Sequence, residues 1–379
     1  MADPSIQAFC CHDPDSKISS VKLMSEFNSP RYNTVCLISS VIGICGAVYQ
    51  LLPRERYPPV HRWYTLTTSR GRKIIIWLAV ADLLAAFGVF VRSVLKLYSP
   101  LSSSQLLIGY LSLTQCILFN AWIQYFYGVA WIWTLIYSID MTLSLQDKKS
   151  YASWYHACAW GIPAVLSYVG LSLLYSNTSS CDNLSESEAL RRILPNYAAT
   201  YLIIATVMIL NPIIYWRSDA LVKLNISRQM NQYTYRERML IDVIRLRFSL
   251  IILVFYVCWL PNLINGVILW TMWYDIPKDL ELTLWYIMAV VNPLQAFFNS
   301  LVYRRKREHI SMWPFKRSSS PGEGYETTPL LMTSSSSSED RSNSPSGLSP
   351  RYFGAMTRES HLFGAVDSWN DGKRELFVK

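Results

Sequence analysis

The fold turns on the stretch Cys116–Asp140, CILFNAWIQYFYGVAWIWTLIYSID, which carries no lysine, arginine or carboxylate before its last residue. As a helix rising ~1.5 Å per residue it reaches ~37 Å, enough to cross a bilayer with some tilt. Gln115, Asn120, Gln124, Tyr125, Tyr127, Thr134, Tyr137 and Ser138 recur among Trp122, Trp131 and Trp133. Polar groups are costly against hydrocarbon, so several of these must face protein, and the helix belongs in the middle of a bundle. Cys116 opens the stretch, and Cys181 is the later cysteine in a comparably polar setting. A Cys116–Cys181 disulfide would tie the helix top to a loop on an oxidising side of the membrane; two free thiols are the alternative.

Six further blocks read as spans on length and lack of charge: about 33–52, 74–95, 154–176, 197–216, 248–270 and 282–303. The expected fold is therefore an all-α membrane protein, a seven-transmembrane helix bundle. The chain of 379 residues is 51% hydrophobic with a net charge of +9, and its basic residues are unevenly placed. They gather after the first, third, fifth and seventh blocks, as in Arg70-Gly71-Arg72-Lys73, Lys148-Lys149, Arg236-Glu237-Arg238 and Arg304-Arg305-Lys306-Arg307. Positive-inside bias then puts the N-terminus on the extracellular or lumenal side and the C-terminus in the cytoplasm. Charge placed this way is a topological signal, so no nucleic-acid partner is expected. No stretch resembles a cleavable signal peptide, and the first span is expected to direct insertion.

Residues 1–31 are expected as an outer tail, in which Cys10 and Cys11 pair with each other, pair with another chain, or stay free. The seven-span domain covers 32–303, a basic interfacial segment 304–317, and a Ser/Pro-rich tail 318–379 reads as disordered. Asp82 sits mid-membrane in LAVADLL, where an ionisable group is a functional candidate by default, and Asn292 of the last span is its expected neighbour. Arg92, ten residues on, either snorkels to the headgroups or binds an anionic group. Pro261 follows Cys258-Trp259-Leu260 in the sixth span, a bend that is either a hinge or a static packing kink. The basic loop 217–247 has apolar positions that predict a helical extension below the sixth span. Its cationic face suits an acidic protein or anionic membrane lipid, although topology alone explains much of the charge.

Asn177 and Asn183 open glycosylation sequons in the loop that carries Cys181. In the tail, Glu326 with Leu330 and Leu331 fits an acidic dileucine that clathrin adaptors bind, and the serine run 334–338 suits arrestin once phosphorylated; a solvated linker is the plainer reading of that run. His12, His61, His156, His309 and His361 are too scattered for a zinc hydrolase, and no lysine in the last span could hold retinal. No catalytic set and no cofactor are expected. A small-molecule transporter or channel of an endolysosomal membrane is one function open to such a bundle.

A cysteine atop the third span, Asp140 at its base, Cys258-Trp259-Leu260-Pro261 and Asn292-Pro293 together resemble a G-protein-coupled receptor. Asp140-Met141-Thr142 lacks the arginine of the rhodopsin-like Asp-Arg-Tyr, and Asn292-Pro293 lacks the following tyrosine, so the usual ionic lock is not available. The chain more closely resembles the ocular albinism type 1 receptor family of melanosomes. The resemblance rests on Phe9-Cys10-Cys11, Trp122-Ile123-Gln124, Tyr155-His156, Ala159-Trp160-Gly161, Asn211-Pro212, Tyr233-Thr234, Glu237-Arg238-Met239, Cys258-Trp259-Leu260, Ile264-Asn265 and Asn292-Pro293 with Gln295. The ending of the last span is also similar to slime-mould cyclic-AMP receptors.

The resemblance implies a receptor for tyrosine, L-DOPA or dopamine that acts through heterotrimeric G proteins on melanosome formation, size and transport. It implies residence in melanosome and lysosome-type membranes and at the plasma membrane. For such a ligand, Arg92 is the expected partner of the carboxylate, and Gln124, Asn265 or Asp275 of the ammonium. Trp259, Trp122 and Tyr125 are expected to stack on the ring. Agonist near Trp259 would shift the sixth helix about Pro261 and open a cytoplasmic crevice bounded by Asp140, Arg238, Arg245 and Arg247.

Overall fold

The computed structural model describes residues 4–10, 19–52, 62–98, 105–146, 148–175, 186–228, 235–273, 275 and 277–304, all within the unit Met1–Lys316. The described residues are helical, with no strand. Two short helices, α1 (Pro4–Gln7) and α2 (Ser19–Met24), and a 3-10 turn at Ser25–Asn28 precede seven long ones. These are α3 (Pro30–Leu51), α4 (Arg62–Tyr98), α5 (Gln105–Leu145), α6 (Ala152–Tyr175), α7 (Glu186–Arg228), α8 (Tyr235–Thr271) and α9 (Lys278–Arg304). Arg238 lies in α8, although its side chain is outside the described residues, as are Asn177, Cys181, Asn183, the segment 305–317 and the tail with Glu326, Leu330 and Leu331.

Local chemistry accounts for the ends. Ser29 caps α3, its hydroxyl accepting from Tyr32 N at 3.2 Å, with Pro30 in the first turn where a missing N–H costs nothing. Beyond the apolar blocks, α7 runs on to Arg228 and α8 starts at Tyr235, so the expected helical extension is present. The opposite end of α7 starts at Glu186, so part of the segment expected as a loop between the blocks 154–176 and 197–216 is helix, with Arg192 and Glu188 paired at 2.9 Å.

α5 occupies the centre, packed on α4, α6 and α7, while α3, α4 and α9 form one wall and α7, α8 and α9 close the other. Residues 127–134 of α5 are buried without interruption, the pattern of a helix surrounded by protein. Five helices among the described residues are long and apolar enough to cross a membrane: α3, α4 from Arg70, α6, α7 and α8. α5 turns polar side chains inward: Asn120, Gln124, Thr134, Ser138 and Asp140 are all buried. Outside, Val165, Leu202, Ile209, Leu253 and Val267 form an exposed apolar surface, and Trp154 and Trp216 stand out at over two-thirds exposure, as membrane-interface tryptophans do.

α3 and α9 approach each other closely through glycine. A Cβ on Gly43 would fall on the Pro293 carbonyl, and one on Gly46 on the Phe297 backbone. Backbone cannot rotate aside, so Gly46→Ala forces the helices apart and is expected to cost about 1–3 kcal/mol. A thermal melt of the purified protein checks this; an unchanged midpoint would contradict the contact.

Candidate functional site

Three polar layers are threaded through the bundle. At the Asp140 end, the fully buried carboxylate accepts from Arg70 Nη2 of α4 at 2.7 Å and from the Tyr155 hydroxyl of α6 at 3.0 Å. Arg70 also donates to the Lys148 carbonyl at 2.8 Å, clamping α4, α5, α6 and the α5–α6 connection. The positive charge missing from Asp140-Met141-Thr142 is thus supplied from another helix. Beside it Arg245 pairs with Asp219 across α8 and α7, and Arg247 lies within electrostatic reach of Tyr137 and Tyr303. Tyr137, Tyr215, Phe248 and Tyr303 meet edge to face with centroids 5.2–6.1 Å apart, closing the space between α5, α7, α8 and α9. An open cleft of about 610 Å³ lies between α5 and α7, lined by Ile139, Thr142, Gln146, Trp216, Arg217 and Leu221 among others.

In the middle layer, buried Asp82 of α4 accepts from Gln295 Nε2 at 3.3 Å and Asn299 Nδ2 at 3.1 Å, both of α9. These donors lie one and two turns beyond the expected neighbour Asn292, which is itself buried. Gln295 Oε1 in turn accepts from the indole N–H of Trp259 on α8. Trp259 is fully buried, edge-on to Trp131 at 4.7 Å and to Tyr127 at 5.0 Å, and Pro261 sits just beyond it inside α8. One hydrogen-bond chain therefore joins α8, next to Pro261, to α9 and α4.

The Cys116 end is the most polar. Gln124 Nε2 donates to Asn196 Oδ1 at 2.7 Å and to Thr200 Oγ1 at 3.0 Å, and Asn196 returns a bond to Gln124 at 3.2 Å. Across the bundle Trp285 Nε1 donates at 2.9 Å to both Asn265 Oδ1 and the buried Glu281 Oε1. Phe27 lies tilted against Trp285 and Tyr32, with ring centroids 4.3 Å and 5.6 Å apart. Arg92, 3% exposed, stands within electrostatic reach of Tyr32 and Cys36, and none of its guanidinium nitrogens has a hydrogen-bond acceptor among the described residues. A buried cation without an acceptor is costly, and Arg92 is too deeply buried to reach solvent.

The expected ligand residues separate accordingly. Arg92, Gln124, Trp259 and Asn265 all point into the bundle. Trp122 does not: it is 39% exposed, its indole donating to the Leu84 carbonyl at 2.9 Å, because this face of α5 lies against α4. Tyr125 is turned to α6, its hydroxyl 3.4 Å from the Trp160 carbonyl. Asp275 is exposed in the α8–α9 turn, whereas Glu281, just outside the expected last span, is the buried carboxylate at this level.

The disulfide is also corrected. Cys116 is bonded to Cys10, 106 residues away with Cα atoms 6.1 Å apart, so it is not available to Cys181. The first residues are no free tail: Ile6, Phe9, Met24 and Phe27 are all buried. Gln295, Asn299, Asn196 and Glu281 were passed over as site residues, although Asn292, Gln295 and Asn299 follow the i, i+3, i+7 spacing of one helical face. Nothing in the sequence singled out Arg70.

Comparison with known proteins agrees with this architecture. The family model described as ocular albinism type 1 protein matches residues 1–312. Human G-protein coupled receptor 143 is 28% identical over 323 residues, covering 80% of this chain and 77% of its own. Cyclic AMP receptor-like proteins C and A of Dictyostelium discoideum are 26% and 22% identical, over 64% and 71% of this chain and 66% and 63% of theirs. With the match running through the whole described bundle, this multi-pass membrane protein belongs to the ocular albinism type 1 protein family, receptors of the G-protein-coupled type.

Proposed function

We propose that α3 to α9 are seven membrane spans, with the Cys116 end extracellular or lumenal and the Asp140 end cytoplasmic. In this reading a small molecule of the tyrosine, L-DOPA or dopamine class binds above Trp259 and the receptor activates a heterotrimeric G protein. The observation that carries the reading is the chain from Trp259 through Gln295 to Asp82. It links a fully buried indole two residues from Pro261 to two neighbouring helices, so a ligand that prefers one arrangement of Trp259 biases the whole chain.

Arg92 takes the carboxylate of the ligand, and Glu281 with Asn265 and Gln124 takes its ammonium. Movement of α8 separates Phe248 from Tyr137 and frees Arg245 from Asp219, opening a crevice that Asp140, Arg238 and Arg247 help to line. Asn177 and Asn183 carry glycans on the outer side. The protein resides in melanosome or lysosome-type membranes and at the plasma membrane, with Glu326, Leu330 and Leu331 engaging clathrin adaptors and the phosphorylated serine run engaging arrestin.

A G-protein dissociation panel with tyrosine, L-DOPA, dopamine and cyclic AMP tests the reading. Cyclic AMP is included because two relatives carry it in their names. Arg92→Ala and Gln124→Leu are each expected to weaken the active ligand at least tenfold at matched surface amounts, about 1.4 kcal/mol for a lost charged contact. Unchanged potency in both variants would remove this pocket.

A further inference from the structure

The segment Ser5–Phe9 lies inside the Cys116 end of the bundle. Ser5, Ile6, Gln7 and Ala8 have no exposed surface, and Phe9 has almost none. Buried backbone must find partners, and here the side chains of three helices supply them. Asn196 of α7 donates to the Ser5 carbonyl at 3.1 Å, Asn120 of α5 to the Gln7 carbonyl at 2.8 Å, and the Tyr175 hydroxyl of α6 to the Ala8 carbonyl. A fourth helix joins through Tyr32, whose hydroxyl accepts from Gln7 Nε2 at 2.7 Å. Ile6 faces an apolar niche formed with Leu190, Ile193, Tyr197, Leu269 and Trp273. Asn196 is the same amide that pairs with Gln124, so the segment rests directly on the level assigned above to the ligand.

Main-chain carbonyls held by convergent side-chain donors, with a pocket for one apolar side chain, are how extended or turn peptides are recognised. We propose that this end of the bundle is a peptide-binding cavity whose resident occupant is the chain's own Ser5–Phe9, a plug tethered by the Cys10–Cys116 disulfide that an incoming ligand must displace. The displacement step rests on the receptor reading of the preceding subsection; occupancy of the cavity does not. The tether acts through concentration. A covalently held segment competes at an effective concentration of order millimolar, and a ligand's apparent affinity falls by the fraction of receptor whose cavity is open. Opening the disulfide removes that advantage without touching any ligand contact.

Occupancy is read by thiol labelling of the full-length protein in isolated membranes, on a Cys11→Ser background. Ser5→Cys, nearly isosteric at a buried position, is compared with Lys22→Cys at an exposed one. With Cys10–Cys116 intact, Ser5→Cys is expected to react with a charged maleimide at least about tenfold more slowly, as a largely closed equilibrium requires. Adding Cys10→Ser and Cys116→Ser is expected to bring the two rates together. Equal rates with the disulfide intact would overturn the plug.

Displacement is read by signalling. Ile6→Asp places a charge in the apolar niche and is expected to raise the potency of the active panel ligand about tenfold, because the plug is then mostly released. Protection of Ser5→Cys together with unchanged potency in Ile6→Asp would overturn displacement while supporting occupancy. Protection with no response to any panel ligand would instead count against the receptor reading.

Discussion

Replacing Arg70 with alanine is expected to destabilise this protein more than any other single change at the Asp140 end. Asp140 has no exposed side-chain surface, and its charge is met by Arg70 at 2.7 Å with support from Tyr155. Removing the guanidinium leaves a buried carboxylate against one phenol, a change that costs about 3–5 kcal/mol in comparable sites. Arg70 is 22% exposed, so water can partly take its place, and the lower end of that range applies. The pair also anchors the connection at Lys148, so the loss should extend to the α5–α6 turn. Asp140→Asn should largely rescue Arg70→Ala, because the double variant buries no uncompensated charge. Thermal midpoints of the four proteins in a double-mutant cycle measure this. A single variant as stable as the parent, or a double no better than the single, would mean that the ion pair does not hold the helices together.

Gln295→Leu is expected to have the largest effect on signalling. Its amide both donates to Asp82 and accepts from Trp259, and leucine leaves both partners without it. A buried polar group deprived of its partner costs about 1–3 kcal/mol. Asn299→Leu removes only one donor from Asp82 and should cost less. Both variants should lower the melting temperature, with Gln295→Leu the lower. Only Gln295→Leu breaks the link between α8 and α4, so it should abolish agonist-driven G-protein dissociation at matched surface amounts, while Asn299→Leu keeps a reduced response. Equal responses in the two variants would rule out the Trp259 chain as the path from ligand to helix movement.

The helical bundle was legible in the sequence because burial in a membrane is a bulk property of each segment. Apolar length marks a span, and the Asn, Gln, Tyr and Trp content of Cys116–Asp140 marked the helix that had to be surrounded by protein. It is indeed the central one. Asp82 was legible as a buried charge for the same reason, and the face of Asn292, Gln295 and Asn299 was present in the spacing, although the bonds from Gln295 and Asn299 were not singled out.

Pairings were not legible, since they depend on which surfaces meet after packing. Cys116 could have taken any cysteine on its own side of the membrane, and only the insertion of Pro4–Cys10 between α5, α6 and α7 brings Cys10 to it. Arg70 resembled any other basic residue after the first span until the packing of α4 on α5 set it against Asp140. Trp122 and Gln124 are two residues apart in one helix, yet the helical turn sends one to the outer face and the other to the core. Composition along the chain thus determined that the protein crosses a membrane and which helix lies innermost. Tertiary packing alone decided which charges, cysteines and amides face one another, because a hydrogen bond or ion pair between distant segments is specified by geometry at a few ångströms and leaves no local mark on either partner.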